Sequence, residues 1–428
     1  MILRTLLLAA ALIVTPLAAA QSPVETQPTL IRDVRLFDGE KLFEDRNIFL
    51  ANGKIALVDA PRLAGPGVRV VEGKGRTLLP GLIDSHTHIY ADKGLLDSLL
   101  FGVTSAIDLF SKPPETQPAV RRTLSGFNPH EADILSAGFI ATAPEGHGTQ
   151  YGFEIPTLSR PEEADAFVEA RVAEGSQFIK IIAESRRPTL DVATIRAVVE
   201  AAHRRGIIAV AHAQLLEDTR KVVEAGVDGI VHGTSDLDLD DELVAEIVRK
   251  KIFYIPTISV HDASVEAGAS LPYLERPAFA GLTPAEGIEL MSADRTSEKR
   301  RMYRQYLYAN IARLHLAGAT ILAGVDPPNR GTWYGISLHR ELKGLVEAGL
   351  SPQEALMGAT SRAADAWRLT GHGRIAPGMS ADLLLVDGNP LEDIDATTAM
   401  IEVWKDGVST LPLLEKQRRK LAEAAEKP

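Results

Sequence analysis

The stretch Leu79-Pro80-Gly81-Leu82-Ile83-Asp84-Ser85-His86-Thr87-His88 decides how this chain is read. It is apolar up to Asp84 and then carries two histidines two residues apart. In a β-strand, residues i and i+2 share a face, so His86 and His88 point the same way. Two imidazoles converging at a strand end can chelate one metal ion. A lone His-x-His pair is weak support, so the rest of the chain has to decide the matter.

Outward from this stretch the rhythm differs on the two sides. Before it, from about 28 to 75, short β-like runs are joined through Asp38-Gly39 and Asn52-Gly53, which are strong hairpin signals. After it, apolar runs alternate with amphipathic helical stretches. The runs are 78–89, 104–110, 133–142, 177–183, 207–213, 229–233, 252–260 and 320–325, and the helical stretches include 160–174, 191–205, 240–250 and 296–317. The alternation predicts an α/β protein with a (β/α)8 TIM barrel; periodicity alone leaves an open doubly wound sheet as the alternative. Beyond the barrel, 351–369 reads as one helix, and β signals return at 381–388 and 401–404. The two ends share turn chemistry. The expected organisation is a small β-sandwich domain built from 21–76 and 373–412, a barrel over 77–372, and a charged tail at 413–428.

Composition narrows the chemistry. The 428 residues are 45% hydrophobic and 24% charged, which are ordinary globular values. A net charge of −11 argues against nucleic-acid binding. The chain has no cysteine, which removes disulfides, thiolate metal sites and thiol nucleophiles. Any metal site must come from His, Asp, Glu or a modified Lys. Residues 1–20 carry Arg4, an apolar run from Leu6 to Val14, and Ala18-Ala19-Ala20. They read as a signal peptide cleaved before Gln21, which predicts an exported protein, periplasmic or secreted, with no membrane span after removal.

Other strand ends repeat the pattern of the first. Lys180 lies in Phe178-Ile179-Lys180-Ile181-Ile182, on the face opposite Ile179 and Ile181. A buried unpaired ammonium is costly, so Lys180 is either paired with an acid or carbamylated by CO2 into an anionic ligand. His212 and His232 end the fifth and sixth runs, and Asp326 ends the eighth. Each alone is as readily a core or mouth residue as a ligand. Together, at the C-terminal ends of different strands, they argue for one site at the barrel mouth.

With these residues in place the chain resembles the metal-dependent amidohydrolase superfamily over nearly its whole mature length. Pro80-Gly81-Leu82-Ile83-Asp84-Ser85-His86-Thr87-His88 matches that family's PGxIDxHxH signature, and Lys180, His212, His232 and Asp326 fall at its later ligand positions. Gly373…Ile375-Ala376-Pro377-Gly378…Ala381-Asp382-Leu383 matches as well. The likeness is to the imidazolonepropionase-related branch, with its Xaa-Pro dipeptidases, carboxypeptidase-like enzymes and ochratoxin-hydrolysing amidases. It implies two divalent metal ions, zinc by preference. His86, His88 and Asp326 would hold one, His212 and His232 the other, and carbamylated Lys180 and a hydroxide would bridge them. Asp326 would carry the proton from the attacking hydroxide to the leaving nitrogen. One departure from the family pattern is Gly324-Val325-Asp326 in place of Gly-Thr-Asp, which removes a hydroxyl beside Asp326.

Weaker candidates for substrate contact are His147 in Glu145-Gly146-His147-Gly148, Tyr254 in the seventh run, Arg330 as a carboxylate ligand, and His339 near a helix start. His130, His203, His261, His315 and His372 read as bystanders, and 261–300 is long enough to act as a lid. The expected function is hydrolysis of an amide bond in a small, dipeptide-like or N-acyl amino acid substrate. The alternatives are hydrolysis of a cyclic amide, lactone or phosphotriester at the same site, a mononuclear deaminase or imidazolone hydrolase, and an inactive exported binding protein. Assembly into a homo-oligomer is left open.

Overall fold

The structure, a computed structural model, describes residues 26–62, 64–113 and 116–426. The segment read as a signal peptide lies outside them. No helix among the described residues is long and apolar enough to cross a membrane.

The chain is mixed α/β. Its N-terminal part supplies β1 (Thr29–Phe37), β2 (Leu42–Ala51), β3 (Lys54–Val58), β4 (Arg69–Glu72) and β5 (Arg76–Pro80). Three strands then form a parallel sheet, β6 (Leu82–Thr87), β7 (Val103–Asp108) and β8 (Asp133–Ser136). Four more form a second, β9 (Ile179–Ile182), β10 (Ala209–His212), β11 (Gly229–Val231) and β12 (Phe253–Ile255). The C-terminal part adds β13 (Leu383–Asp387), β14 (Met400–Lys405) and β15 (Val408–Ser409). Both chain ends meet in one eight-stranded sheet, in the order β15-β14-β13-β5-β1-β2-β3, with β4 paired to β1.

The run read as 78–89 is therefore two strands in two sheets. They part at Gly81, a few residues past the boundary expected at 76/77. A Cβ on Gly81 would lie 2.3 Å from Thr104 Oγ1, so a side chain is excluded there. The Gly81 N–H donates to the Asp382 carbonyl at 2.8 Å, which ties the junction to the C-terminal part.

Segment 320–326 links the outer strands of the two parallel sheets. On one side the Tyr254 N–H donates to the Thr320 carbonyl and the Leu322 N–H to the Tyr254 carbonyl, both at 2.9 Å. On the other, Ser85 N–H donates to Ala323 O at 3.0 Å and Asp326 N–H to His86 O at 2.6 Å. Between β8 and β9, Ala141 bonds in the same parallel way, accepting from Ile182 N–H at 2.9 Å and donating to Lys180 O at 2.8 Å.

Helices pack against these strands, and their starts follow from side-chain capping. Asp191 accepts from Thr194 N–H ahead of Val192–Arg204, and Asp240 from Leu243 N–H ahead of Asp241–Arg249. The stretch 351–369 is two helices, Pro352–Gly358 and Ser361–Ala366, rather than one. The interruption has a cause: the Ala359 carbonyl accepts from Ile83 N–H at 2.8 Å instead of continuing the helix. The seventh run is likewise short. Its last part becomes the helix Ile258–Ala263, whose first N–H groups go to the Glu341 carboxylate.

Lys405 is fully buried where the terminal sheet meets β8, with Nζ at 3.0 Å from Asp133, 3.3 Å from Asp382 and 3.2 Å from Asp406. Burial alone would lower its pKa, but the three carboxylates more than reverse this and keep the ammonium charged. Lys405→Ala leaves these buried acids uncompensated. It should lower the unfolding free energy by about 3–5 kcal/mol, read from denaturant unfolding curves.

Candidate metal centre

The six residues singled out in the sequence converge at the C-terminal ends of the parallel strands. His86 and His88 lie at the end of β6, Lys180 in β9, His212 at the end of β10 and His232 just after β11. Asp326 closes the segment that pairs with β6. Its Oδ1 is 2.9 Å from His88 Nε2 and 3.4 Å from His86 Nε2, and its Oδ2 is 3.6 Å from His232 Nδ1. The His86 and His232 rings stand 4.6 Å apart and the His212 and His232 rings 4.4 Å. His86, His232 and Asp326 each offer a ligand atom within 4.8 Å of the others.

Two of these residues sit on unusual backbone. His232 has φ 76° and Asp326 φ 66°, and Thr257 at the end of β12 has φ 49°. Non-glycine residues in the left-handed region cost on the order of 1–3 kcal/mol each and persist where the surroundings enforce them. Here the turn out of the strand swings the side chain toward the common centre. Gly324 lets segment 320–326 come close enough, since a Cβ on it would lie 2.8 Å from His86 N. Asp84, the acid of the opening motif, works as a staple: its Oδ1 accepts from His86 N–H at 3.1 Å and from Val325 N–H at 3.0 Å. Val325 is fully buried in the main apolar core, the position where the family pattern has threonine.

The electrostatics suit a cation. Burial, helped by neighbouring positive groups, drives the pKa of His86 and His232 well below the ordinary imidazole value, and His212 is also lowered. Neutral imidazoles expose lone pairs. Both ring nitrogens of His86 and Oδ1 of Asp326 are buried without a hydrogen-bond partner, which is an expensive state that a bound metal relieves. Lys180 is 2% exposed and its Nζ makes no hydrogen bond or ion pair with any described residue; burial lowers its pKa to about 7, with Asp326 the opposing charge. The pairing with an acid considered from sequence is absent among the described residues.

Neighbours choose which nitrogen faces inward. The Phe110 carbonyl lies 3.1 Å from His88 Nδ1, which must therefore carry the proton and leaves Nε2 free. Glu184 Oε2 lies 3.2 Å from His212 Nε2, leaving Nδ1 free. Burial raises the pKa of Glu184, but hydrogen bonds from Arg186 and His212 outweigh it and hold the carboxyl well below its usual range. Sequence reasoning missed Glu184; its spacing of four residues from Lys180 at the same strand end was the available signal.

The site opens into a cavity of about 580 Å³. His147 lines it, its ring 5.0 Å from His212. Burial and the nearby His212 lower His147 to a pKa of about 3. The other three candidates do not line it. Tyr254 is fully buried and its hydroxyl accepts from Thr234 N–H at 2.5 Å, so the ring is core. His339 is buried between the Phe101 carbonyl, at 3.0 Å, and Thr397 Oγ1, at 2.9 Å. Arg330 is exposed beside the mouth. The long segment expected to act as a lid packs Tyr273, Phe279, Leu282 and Met291 into a core with Trp333 and Tyr334, and it delivers Arg295 to the cavity. A second cluster of Asp133, His372 and Asp382 has ligand-like spacing, but Lys405 Nζ already bonds Asp133 and Asp382.

These strand ends and the cavity they face form a candidate metal centre, and the family follows from the sequence match. Residues 77–411 match the amidohydrolase family, and the chain belongs to it. It is thus a hydrolase acting on carbon–nitrogen bonds. It is 25% identical over 397 residues to the ochratoxinase of Aspergillus niger, covering 77% of this chain and 75% of that one. It is 24% identical over 378 residues to the imidazolonepropionase of Salinispora arenicola, covering 79% and 85%. The fold superposes on a Xaa-Pro dipeptidase solved with methionine in its active site, with TM-score 0.71, 21% identity, and 89% and 99% coverage. The branch indicated by sequence resemblance is the one these relatives define.

The turn after β12 offers a test of how the centre is supported. Glu341 accepts from Ile258 N–H at 2.9 Å and from Ser259 N–H at 2.7 Å, which fixes the backbone beside Thr257, itself 3.4 Å from His232 Nδ1. Burial pushes Glu341 from its ordinary 4.5 up to about 7. The folded state therefore keeps a proton that the unfolded chain has lost, and stability falls as pH rises from 4.5 to 7. Glu341→Gln should flatten that fall by up to about 1.4 kcal/mol per pH unit, measured by denaturant unfolding across this window.

Proposed function

We propose that the chain hydrolyses an amide bond of a small, dipeptide-like or N-acyl amino acid substrate with two divalent metal ions, zinc by preference. On this reading the two parallel sheets and segment 320–326 are the staves of a (β/α)8 barrel, and its C-terminal mouth is the active site. His86, His88 and Asp326 would hold one ion and His212 and His232 the other, with carbamylated Lys180 as a further anionic ligand. The observation that carries the reading is the convergence of neutral, partnerless imidazole nitrogens, an unpaired buried lysine and the unpartnered Asp326 Oδ1. Bound there, the cations supply Lewis acidity toward the substrate carbonyl and make water acidic enough to attack at neutral pH.

The chain's own groups do the rest. Asp326 accepts the proton of the attacking water at its free carboxylate oxygen and delivers it to the leaving nitrogen. His147 is the donor toward the substrate. Gln150 Nε2 lies 3.4 Å from its Nδ1, so the amide hydrogen occupies that lone pair and the proton stays on Nε2, free to bond a substrate oxygen. Lys180, without an acidic partner, is an amine whose neutral form can add CO2 and become an anionic ligand. Residues 1–20 are the export signal in this scheme.

Elemental analysis of purified protein should give about two metal ions per chain, as a two-metal site requires; a content near one overturns the two-ion reading. Asp326→Asn should lower amide hydrolysis on the order of 10²–10⁴-fold, the range of a lost acid–base group, read from initial rates on dipeptides and N-acyl amino acids. Retained activity would remove Asp326 from the proton transfer.

A further inference from the structure

The cavity has a cationic feature that the metal chemistry does not use. Arg295 lines it and is only partly exposed, yet makes no hydrogen bond or ion pair with any described residue. Its surroundings are unfavourable. Burial and the charges of Arg300 and Arg330 act against its guanidinium, and Asp326 is the one acid acting for it. If Asp326 is engaged by a cation, that support goes too. A half-buried guanidinium held among like charges is costly unless an anion meets it.

The backbone around Arg295 is set rather than loose. Asp294 Oδ1 accepts from Thr296 N–H at 2.8 Å, and Ser297 Oγ accepts from Arg300 N–H at 3.3 Å, capping the helix Glu298–Leu316. Arg295 is thereby fixed just ahead of a helix start.

The cavity lining is also aromatic. The Phe110 ring lies 5.7 Å from that of Phe153 and 6.0 Å from that of Tyr151. Phe153 is 40% exposed and Tyr151 52%, unusual for large rings beside a reacting centre unless they meet a ligand. Phe110 follows β7 and the other two follow β8, whereas Arg295 comes from the connection between β12 and segment 320–326. The two features thus reach the cavity from separate loops, with His88, Lys180, His212, His232 and Asp326 also in its lining.

We propose that Arg295 binds a substrate carboxylate and that Phe110, Tyr151 and Phe153 bind an aromatic group at the substrate's other end, so that the amide between them meets the candidate metal centre. The inference rests on the amide-hydrolase reading of that centre and adds the residues that take the two ends of the substrate and a preference for an aromatic group opposite the carboxylate. It moves the carboxylate contact from Arg330, expected from sequence, to Arg295. The guanidinium fork suits a carboxylate, giving two parallel N–H···O bonds.

Binding tests this separately from turnover. The probe is 3-benzoylpropanoate, the isostere of N-benzoylglycine in which CH2 replaces the amide NH, so it is not hydrolysed. Its methyl ester lacks the charge, and 4-oxopentanoate lacks the ring. Calorimetry on the metal-loaded protein should show 3-benzoylpropanoate binding tighter than either. Arg295→Gln should weaken it by about tenfold or more, as for a lost hydrogen bond to a charged group. The same variant should leave the ester within about twofold, and Arg295→Lys should recover part of the loss. Because Arg295 bonds none of the described residues, these variants should fold. Phe153→Ala should reduce the preference for 3-benzoylpropanoate over 4-oxopentanoate. Equal binding of acid and ester, or an unchanged affinity in Arg295→Gln, overturns the carboxylate assignment. An unchanged ring preference in Phe153→Ala overturns the aromatic one. A protein that binds these probes as expected but cleaves no amide would keep this inference and refute the hydrolase reading.

Discussion

Four imidazoles and one lysine amine are gathered around the carboxylate of Asp326, and the surrounding structure is arranged to sustain that. Among the described residues that line the cavity, Asp326 is the one acid. Were the bases all protonated, the repulsion in a water-poor site would be prohibitive; burial instead discharges His86, His212 and His232 and weakens the proton affinity of Lys180. Discharge solves the charge problem and creates a hydrogen-bonding one, because neutral imidazole nitrogens pointing at each other satisfy nothing. His86 shows this most clearly, with both nitrogens orphaned. A core assembled only for stability would replace such a cluster with apolar side chains. Its presence is comprehensible where a cation completes it.

Holding such a cluster takes backbone that would otherwise relax. His232, Thr257 and Asp326 all leave their strands through left-handed residues. Each is tied on the far side. Asp326 N–H bonds the His86 carbonyl, Asp84 bridges His86 and Val325, and Glu341 holds the turn beyond Thr257. Support also comes from outside the parallel strands. Both chain ends share one sheet, and Lys405 from that sheet is locked to Asp133 at the start of β8. The terminal sheet thus braces the strand layer from the side away from the cavity.

The ligand candidates stand out in the sequence because each is a polar residue within or at the end of an apolar strand run, where burial leaves few roles for it. The same signal misled at Tyr254. That tyrosine also interrupts an apolar run, but its hydroxyl is consumed by Thr234 N–H, a backbone partner that no periodicity reports. Arg330 stands four residues from Asp326 in sequence yet outside the cavity lining, whereas Arg295 comes from a connection without regular pattern that returns to the cavity through its own apolar core. The break at Gly81 was hidden for a different reason. Residues 78–83 are apolar on both sides of it, and only the strand pairing, β5 with β1 and β13 but β6 with β7, shows that the chain passes there from one sheet to the other. Alternation along the chain spoke to strand faces; which sheet a strand joins depends on contacts between residues far apart.

The two orienting contacts carry the argument one step further than the ligand set. His88 is turned by a backbone carbonyl and offers Nε2, while His212 is turned by a carboxylate and offers Nδ1. A carbonyl acceptor is permanent. A carboxyl group is the stronger acceptor while ionised, and Glu184 is kept ionised by the hydrogen bonds of Arg186 as well as of His212 itself. Arg186 Nη2 also donates to Gln214 Oε1 at 2.6 Å, and Gln214 lines the cavity. The end of β9 therefore supplies both Lys180 and the hydrogen-bonded pair that orients His212 on the next strand. A ligand in contact with Gln214 would reach the His212 ring through three side chains, so occupancy of the cavity and orientation of that imidazole are physically linked.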